Sequence, residues 1–191
     1  LPPAATRAEQ AVMFAAAEKW LNDRGYKRLS NCHWAKDIRE RSMYNILAKT
    51  GADVFPFGCG AGGFVGQYST MQMRDLEKYI TMIDEGKKPI MVMSGKSPYD
   101  EVHKKISQNM EQGYLDLRSI TAENPELVQL EYILNIWQKN GLMKRGEVMY
   151  FQTQAGRFWQ NNLTQSLLEC CEYILSEGKV KEAKPMQGMS A

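Results

Sequence analysis

The sequence lacks the features that mark several protein classes. No run approaches the roughly 18 consecutive apolar residues that cross a bilayer, and the N-terminal region has no basic segment followed by an apolar one, as a secretion signal would. The 24 basic and 22 acidic residues leave a formal charge of only +2. Because no charge excess points to a polyanion, we expect a cytoplasmic protein without a nucleic-acid or membrane partner.

Cysteine is also scarce, with only Cys32, Cys59, Cys170 and Cys171. Their spacings of 27, 111 and 1 residues contain neither a C-x-x-C pair nor a closely spaced cysteine triad. Cys32, His33 and Cys59 could form a metal site if their two strands were neighbours, but scattered soft ligands of this kind are more often simply packed or exposed. We therefore expect reduced thiols and no metal held by this chain alone, with the last two cysteines on the core face of a helix.

Groups for acid–base catalysis are equally few. His33 and His103 are the only two histidines, and neither belongs to a recognisable Ser-His-Asp arrangement. The sequence therefore predicts no catalytic residue in this chain.

The length limits the architecture. A chain of 191 residues and 21.8 kDa, 43% hydrophobic, can bury one core or two small ones but is too short for a complete eight-unit α/β barrel. The opening Leu-Pro-Pro-Ala-Ala is linker-like and does not begin with methionine. We expect a piece of a longer polypeptide.

Hydrophobic periodicity predicts alternating helices and strands in the first half. An amphipathic helix over 6–24 carries a stripe from Val12 to Leu21 and ends at Gly25. Strands are expected over 26–34, 53–57 and 64–68, and a short helix over 39–49. A further helix is expected to be capped by Ser69 or Thr70, with an apolar stripe of Met73, Leu76, Ile80 and Ile83.

The second half predicts helices around a small hairpin. After a helix over 99–112, Asn124-Pro125 begins another with a stripe from Leu127 to Trp137, then two strand-like runs over 142–145 and 147–153 flank Gly146. Thr153 is placed to cap a final helix ending near Gly178. This order suggests a winged-helix-like module, although the acidic residues of the helix over 126–140 would repel DNA phosphates.

Four glycines occur within the six residues of Gly58-Cys59-Gly60-Ala61-Gly62-Gly63. The spacing formally matches G-x-G-x-x-G, but a dinucleotide site needs a following helix, and Phe64–Tyr68 reads as a strand. Such a glycine density raises the entropic cost of folding. It is typical either of a tight internal turn or of a backbone that approaches a ligand closely, and the sequence leaves both open.

The order of several motifs resembles a known family. Gly25-Tyr26 ends the first helix, a strand-like run follows over 28–35, Tyr44-Asn45 comes next, and then the Gly-x-Gly-Ala-Gly of 58–62. Near the C-terminus, Asn140-Gly141-Leu142 precedes Gln152-Thr153-Gln154-Ala155-Gly156-Arg157. This order is similar to that of the coproporphyrinogen III dehydrogenase-like radical-SAM proteins, the oxygen-independent coproporphyrinogen oxidase family.

One departure indicates a branch of that family. Where its members continue Gly-Ala-His-Ser, this chain has Gly62-Gly63-Phe64-Val65, and the run over 55–63 looks most like the haem-utilisation branch, whose members open haem anaerobically by radical-SAM methyl transfer. Oxygen-independent coproporphyrinogen III oxidation, in haem biosynthesis, is the alternative within the family. A non-catalytic haem-binding or haem-trafficking module and a winged-helix regulator are alternatives outside it.

The resemblance implies S-adenosylmethionine and a [4Fe–4S] cluster in the parent enzyme. Because the cluster-binding cysteine triad is missing, this chain would be the C-terminal portion, inactive alone, with the N-terminal radical-SAM core of the same protein and a tetrapyrrole, haem or coproporphyrinogen III, as partners. The resemblance implies a cofactor- or substrate-facing role for Gly58, Gly60, Ala61 and Gly62.

The expected fold is α+β. A helix and short strands complete a partial α/β barrel over 1–95, a mostly helical winged-helix-like domain follows over 96–180, and 181–191 is a polar tail.

Overall fold

A computed structural model describes residues 4–37, 39, 43–49 and 52–177 of the chain. It divides into two compact units: unit 1 comprises Leu1–Trp34 and Asn109–Ala191, and unit 2 comprises Ala35–Gln108. Unit 1 therefore combines the first helix with the C-terminal third. The predicted division after residue 95 concerns domains of a longer protein and stays a prediction.

Helices and short strands alternate along the chain. The α-helices are α1 (Arg7–Asp23), α2 (Met43–Lys49), α3 (Leu76–Asp84), α4 (Asp100–Gln112), α5 (Leu117–Thr121), α6 (Leu130–Lys139), α7 (Gln154–Phe158) and α8 (Gln160–Leu175). The strands are β1 (Lys27–Arg28), β2 (Trp34–Ala35), β3 (Gly62–Val65), β4 (Tyr68–Gln72), β5 (Ile90–Gly95), β6 (Tyr114–Leu115), β7 (Met143–Arg145) and β8 (Tyr150–Gln152). A 3₁₀-helix, Pro125–Gln129, comes directly before α6.

The predicted position of helix α1 is confirmed, but the residue that it buries is charged rather than apolar. Thr6 caps it in a capping box with Glu9, and Gly25, at φ 78°, follows its end. The one buried residue of this fully described helix is Glu18, whereas Val12, Met13 and the other large apolar residues of the stripe are exposed or half-buried. The apolar stripe of α1 therefore does not form the core of unit 1.

The strand predicted over 26–34 is wrong as a single element. It is two short strands, β1 and β2, that form a two-stranded sheet. The chain turns between them because the amides of Leu29 and Ser30 both donate to the carbonyl of His33, at 2.8 and 3.3 Å.

The C-terminal part of unit 1 holds most of the buried apolar side chains. The predicted hairpin is confirmed as β7 and β8, which pair antiparallel, with β6 as a third strand in the order β6-β8-β7. The core residues of this part of the unit are Met110, Leu115, Leu117, Ile120, Leu127, Leu130, Leu134, Trp137, Met143, Tyr150, Leu163, Leu167 and Cys171. Strand β6, only two residues long, has too little alternation to be recognised in the sequence.

Two helix starts in unit 1 differ from prediction. Asn124-Pro125 begins the 3₁₀-helix rather than an α-helix, and the Asn124 side chain makes no capping bond. Thr153 does cap a helix, since its Oγ1 accepts from the Gly156 amide at 3.1 Å, but that helix is the short α7. The long final helix begins at Gln160, and its predicted end at Gly178 lies outside the described residues.

Unit 2 is built on the antiparallel sheet β3-β4-β5. The strand predicted over 64–68 is wrong, because Gly66, at φ 59°, turns the chain between β3 and β4. Ser69 and Thr70 lie in β4 instead of capping a helix, and Asp75 caps α3 by accepting from the Lys78 amide at 3.1 Å. The sequence prediction also missed β5.

The other unit 2 elements are shorter than predicted. The strand expected over 53–57 is reduced to a bridge between Val54 and Phe64, and α2 occupies 43–49 of the helix expected over 39–49, of which residues 40–42 are not described. Helix α3 leaves Leu76, Ile80 and Ile83 exposed. Its apolar stripe therefore lacks a covering partner among the described residues of the unit.

The predicted α+β class is confirmed, since helices combine with small sheets. The partial barrel and the winged-helix-like arrangement stay predictions. No helix in the described part of the chain is both long and apolar enough to span a membrane.

Candidate functional site

The glycine segment, Phe57–Gly63, is held by backbone hydrogen bonds in unit 2. The Gly60 amide donates to the Met73 carbonyl at 2.8 Å, and the Gln72 amide donates to the Ala61 carbonyl at 2.8 Å. These bonds tie the segment to the C-terminal end of β4 before it continues into β3. The predicted residues Gly58, Gly60, Ala61 and Gly62 therefore share one short stretch with a defined path.

Three of the four glycines are required by the fold itself. Gly58 and Gly60 have φ of 97° and 72°, in the left-handed region that side chains disfavour. Gly63 has an ordinary φ, but a Cβ there would collide with the Val54 carbonyl oxygen and would lie 2.5 Å from Pro56 Cδ. At these positions the tight internal turn is a sufficient explanation.

Gly62 is different. It is exposed, its φ lies outside the left-handed region, and a Cβ there would have only the Thr70 carbonyl oxygen within reach, at 4.0 Å. The fold therefore has no need of glycine at position 62. Close approach by a ligand remains as an explanation for this residue.

Two aromatic side chains precede the glycines and face solvent. Phe57 is 87% exposed and Phe55 is also exposed, which corrects the prediction of a buried strand over 53–57. The strand stops early because Pro56 has no amide hydrogen to extend the pairing begun at Val54. The sequence reasoning missed this surface because an apolar run by itself does not distinguish a buried strand from an exposed one.

Positive charge lies beside Phe64, directly after the glycine segment. Lys104 Nζ is 4.7 Å and Lys96 Nζ 5.4 Å from the centre of the Phe64 ring, within cation–π range. Asp100 Oδ2 is 3.1 Å from Lys104 Nζ and 4.0 Å from Lys96 Nζ. Two ammonium groups share one carboxylate, so this group of side chains carries one net positive charge.

The cysteines do not form a metal centre in the described part of the chain. No group of three or more His, Cys, Asp or Glu side chains there is placed to hold a metal ion. Cys59 Sγ donates to the Arg74 carbonyl at 3.2 Å, and burial raises the pKa of Cys171 to about 11. Since a cluster needs several thiolates, these residues do not fit a [4Fe–4S] group.

A buried ion pair in unit 1 was not predicted. Glu18, 5% exposed, accepts from Arg157 Nε at 2.6 Å and from Nη2 at 2.8 Å, and Gln154 Nε2 donates to it at 3.0 Å. Burial acts to raise the pKa of Glu18, but the hydrogen bonds and the charge of Arg157 outweigh it, so the pKa lies below its usual range. The sequence contains little signal for this pair. Arg157 has no acidic residue four positions away in either direction, since Thr153 and Asn161 occupy those positions, so its partner had to lie elsewhere in the chain.

Comparisons with known proteins show what this chain is similar to in sequence and in fold. No family model matches it. Over 179 residues, 93% of this chain and 39% of the relative, it is 32% identical to anaerobilin synthase from Escherichia coli O157:H7. The chain is therefore similar in sequence to a coproporphyrinogen III oxidase-like radical-SAM protein.

The fold agrees with that of another such protein. The structure of coproporphyrinogen III oxidase from Escherichia coli, described as a radical-SAM enzyme, matches with a TM-score of 0.65 at 15% identity. The match covers 85% of this chain and 42% of that one. The chain spans about two fifths of each radical-SAM relative, which is consistent with the C-terminal portion that the motifs implied.

Proposed function

We propose that this chain is the C-terminal part of a radical-SAM enzyme that degrades haem anaerobically, by methyl transfer and ring opening. The 32% identity with anaerobilin synthase over nearly the whole chain carries the proposal. Oxidative decarboxylation of coproporphyrinogen III is the alternative, supported by a likeness in fold at 15% identity. Sequence identity weighs more here because one fold hosts many reactions.

The radical chemistry would depend on the rest of the protein. S-adenosylmethionine and a [4Fe–4S] cluster would supply it, and the cluster would be held by the N-terminal radical-SAM core. The exposed apolar faces of α1, with Val12 and Met13, and of α3, with Ile80 and Ile83, support a covering partner of this kind for each unit.

Within this chain, the glycine segment would form a cofactor- or substrate-facing surface. The bare backbone around Gly62 lets a flat ring approach closely, and the exposed Phe57 offers a ring face for stacking. A tetrapyrrole also carries carboxylates, for which the positive charge of Lys96 and Lys104 is complementary. We assign Gly58, Gly60, Ala61 and Gly62 to this surface, with Gly58 and Gly60 shaping it.

Anaerobic turnover by the full-length protein tests the proposal. The enzyme, with reconstituted cluster, S-adenosylmethionine and an electron donor, is given haem or coproporphyrinogen III in separate reactions. We expect loss of the haem Soret band and formation of a methylated linear tetrapyrrole, with no decarboxylation of coproporphyrinogen. Decarboxylation would favour the alternative oxidase. Haem binding without turnover would favour a non-catalytic haem module.

A further inference from the structure

A part-buried polar junction in unit 1 connects segments far apart in the sequence. Arg28, in β1, donates from Nε to the Ser30 carbonyl and from Nη2 to Gln160 Oε1, both at 2.9 Å. Gln160, at the start of α8, donates in turn to Glu111 Oε2 at 3.1 Å. Arg28 is therefore held on two of its three guanidinium nitrogens.

Gln152, in the central strand β8, lies next to this junction. It is 6% exposed, and its Nε2 donates to the Met110 carbonyl at 3.0 Å, which fixes the orientation of the amide. Its Oε1 is buried and has no hydrogen-bond partner among the residues that the structure describes. Native proteins nearly always give a buried acceptor a hydrogen-bond partner, because burying it without one is unfavourable.

Gly113 lies close to both side chains. It follows α4 with φ 91°, and the point where a Cβ would lie is 3.3 Å from Arg28 Nη1 and 4.0 Å from Gln152 Oε1. A small molecule near that point is therefore within reach of both a charged donor and the unsatisfied acceptor. A side chain at position 113 would occupy the same space.

We propose that one water molecule is bound at Gly113, accepting a hydrogen bond from Arg28 Nη1 and donating one to Gln152 Oε1. The chemistry of the two partners selects water over an ion. A metal cation would face the positive charge of Arg28, with Arg157 nearby, and a simple anion has no hydrogen to donate to Oε1. Water supplies both roles, because it can accept one hydrogen bond and donate another.

The water would act as a positioning element. It completes the hydrogen bonding of Arg28, which holds the Ser30 carbonyl and so anchors the turn between β1 and β2. This role is independent of the proposed reaction.

A crystal structure of the 191-residue chain, at a resolution that shows ordered water, tests the site directly. We expect one density peak within hydrogen-bond distance of Arg28 Nη1 and Gln152 Oε1. Absence of the peak, or a direct hydrogen bond between the two side chains, would overturn the proposal.

Water-detected NMR tests it in solution. We expect a cross-peak between a long-lived water and the Gly113 α protons, and its complete loss in Arg28→Met and in Gln152→Met. Gln165→Met, the same replacement at an exposed glutamine of α8, should keep the peak. A peak that persists in both junction variants would contradict the site. If either variant does not fold, the presence or absence of the water in wild-type NMR spectra and in the wild-type electron density decides whether the site exists.

Discussion

At the scale of single residues, neighbouring glycines are present for different physical reasons. Gly63 is confined by Val54 and Pro56, so its missing side chain serves the packing of unit 2. Gly62, one residue earlier, has open space where a Cβ would lie. The two residues are identical in the sequence motif. Packing within unit 2 accounts for glycine at position 63, whereas at position 62 the proposed approach of a ligand would account for it.

Alanine substitutions should separate these two roles. In the 191-residue chain, Gly63→Ala should destabilise the pairing of β3 with Val54 by about 1–3 kcal/mol, because the added methyl overlaps the backbone. The Phe64 amide, which donates to the Val54 carbonyl at 2.9 Å, should then exchange its hydrogen faster in NMR. Gly62→Ala should leave that exchange rate unchanged.

Whether Gly62 contributes to haem turnover has to be tested in the full-length enzyme. There Gly62→Ala should lower haem turnover, since the methyl keeps a flat ligand away from the backbone. Gly95→Ala is the matched control, because Gly95 is also an exposed strand glycine outside the left-handed region with no atom within 4 Å of its Cβ position. Equal turnover in both variants would remove Gly62 from the proposed surface.

At the scale of elements, the apolar stripes of α1 and α3 do not face a core within the described residues. Helix α1 is attached to unit 1 through the charged side chain of Glu18 and through Phe14, whose ring packs edge-on against Phe158 with centroids 5.7 Å apart. Its stripe with Val12 and Met13 stays at the surface. Amphipathic periodicity therefore predicted the helix correctly without identifying its buried side.

The exposed face of α3 makes Ile80 a test position. In the 191-residue chain, Ile80→Lys should change the free energy of unfolding by less than about 0.5 kcal/mol, because the side chain is exposed and lysine suits a helix. Leu134→Ala, at a fully buried position of α6, should cost about 2–5 kcal/mol in the same urea titration.

In the full-length protein, by contrast, we expect Ile80→Lys to be destabilising. If the N-terminal core covers α3 there, Ile80→Lys should lower the melting temperature by several degrees. A full-length protein as tolerant of the lysine as the shorter chain would argue against the covering partner.

At the scale of the whole molecule, the buried core is distributed unevenly. The α5–α8 region supplies a large set of buried apolar side chains to unit 1. The buried apolar residues of unit 2, proline aside, are only Ala35, Val102 and Ile106 among the described residues, and its sheet is at most half-buried. Unit 1 also contains the Glu18–Arg157 pair, which joins residues 139 positions apart in the sequence. The stability of unit 1 should therefore depend on pH through that pair.

Acid should weaken unit 1 by protonating Glu18. Because the pKa of Glu18 is lowered on folding, its contribution is complete above the usual glutamate value of about 4.3 and is lost as pH falls through the folded-state pKa. Glu18→Gln should cost about 1.5–3 kcal/mol at pH 7, and the difference from wild type should shrink in acid.

Tryptophan fluorescence is a suitable measurement, since Trp20, Trp34, Trp137 and Trp159 all belong to unit 1. Urea titrations at neutral and acidic pH would compare Glu18→Gln with Glu169→Gln, which changes an exposed glutamate of α8. A difference from wild type that is the same at both pH values would contradict the role assigned to the Glu18 carboxylate.

Local patterns predicted much of the fold and part of the site. The capped helix α1, helix α4, the hairpin of β7 and β8, and the α+β class are all confirmed, because capping residues, glycine stops and apolar spacing act between near neighbours. The glycine segment and the family likeness were also recognisable from short motifs. The cap expected at Ser69 was wrong because pairing in the β3-β4-β5 sheet overrode the local preference. The strand expected over 53–57 was wrong because Pro56 stops the pairing that begins at Val54.

The sequence by itself determined the bounds of α1 and α4, the wide dispersal of the four cysteines and the family that the chain resembles, since these depend on residue type and spacing. Only the tertiary structure decided which glycine has open space beside it, that Phe57 faces solvent, and that Glu18, Arg28 and Gln152 meet distant partners. Those outcomes depend on contacts between segments far apart in the chain, and such contacts leave no periodic signal in the sequence.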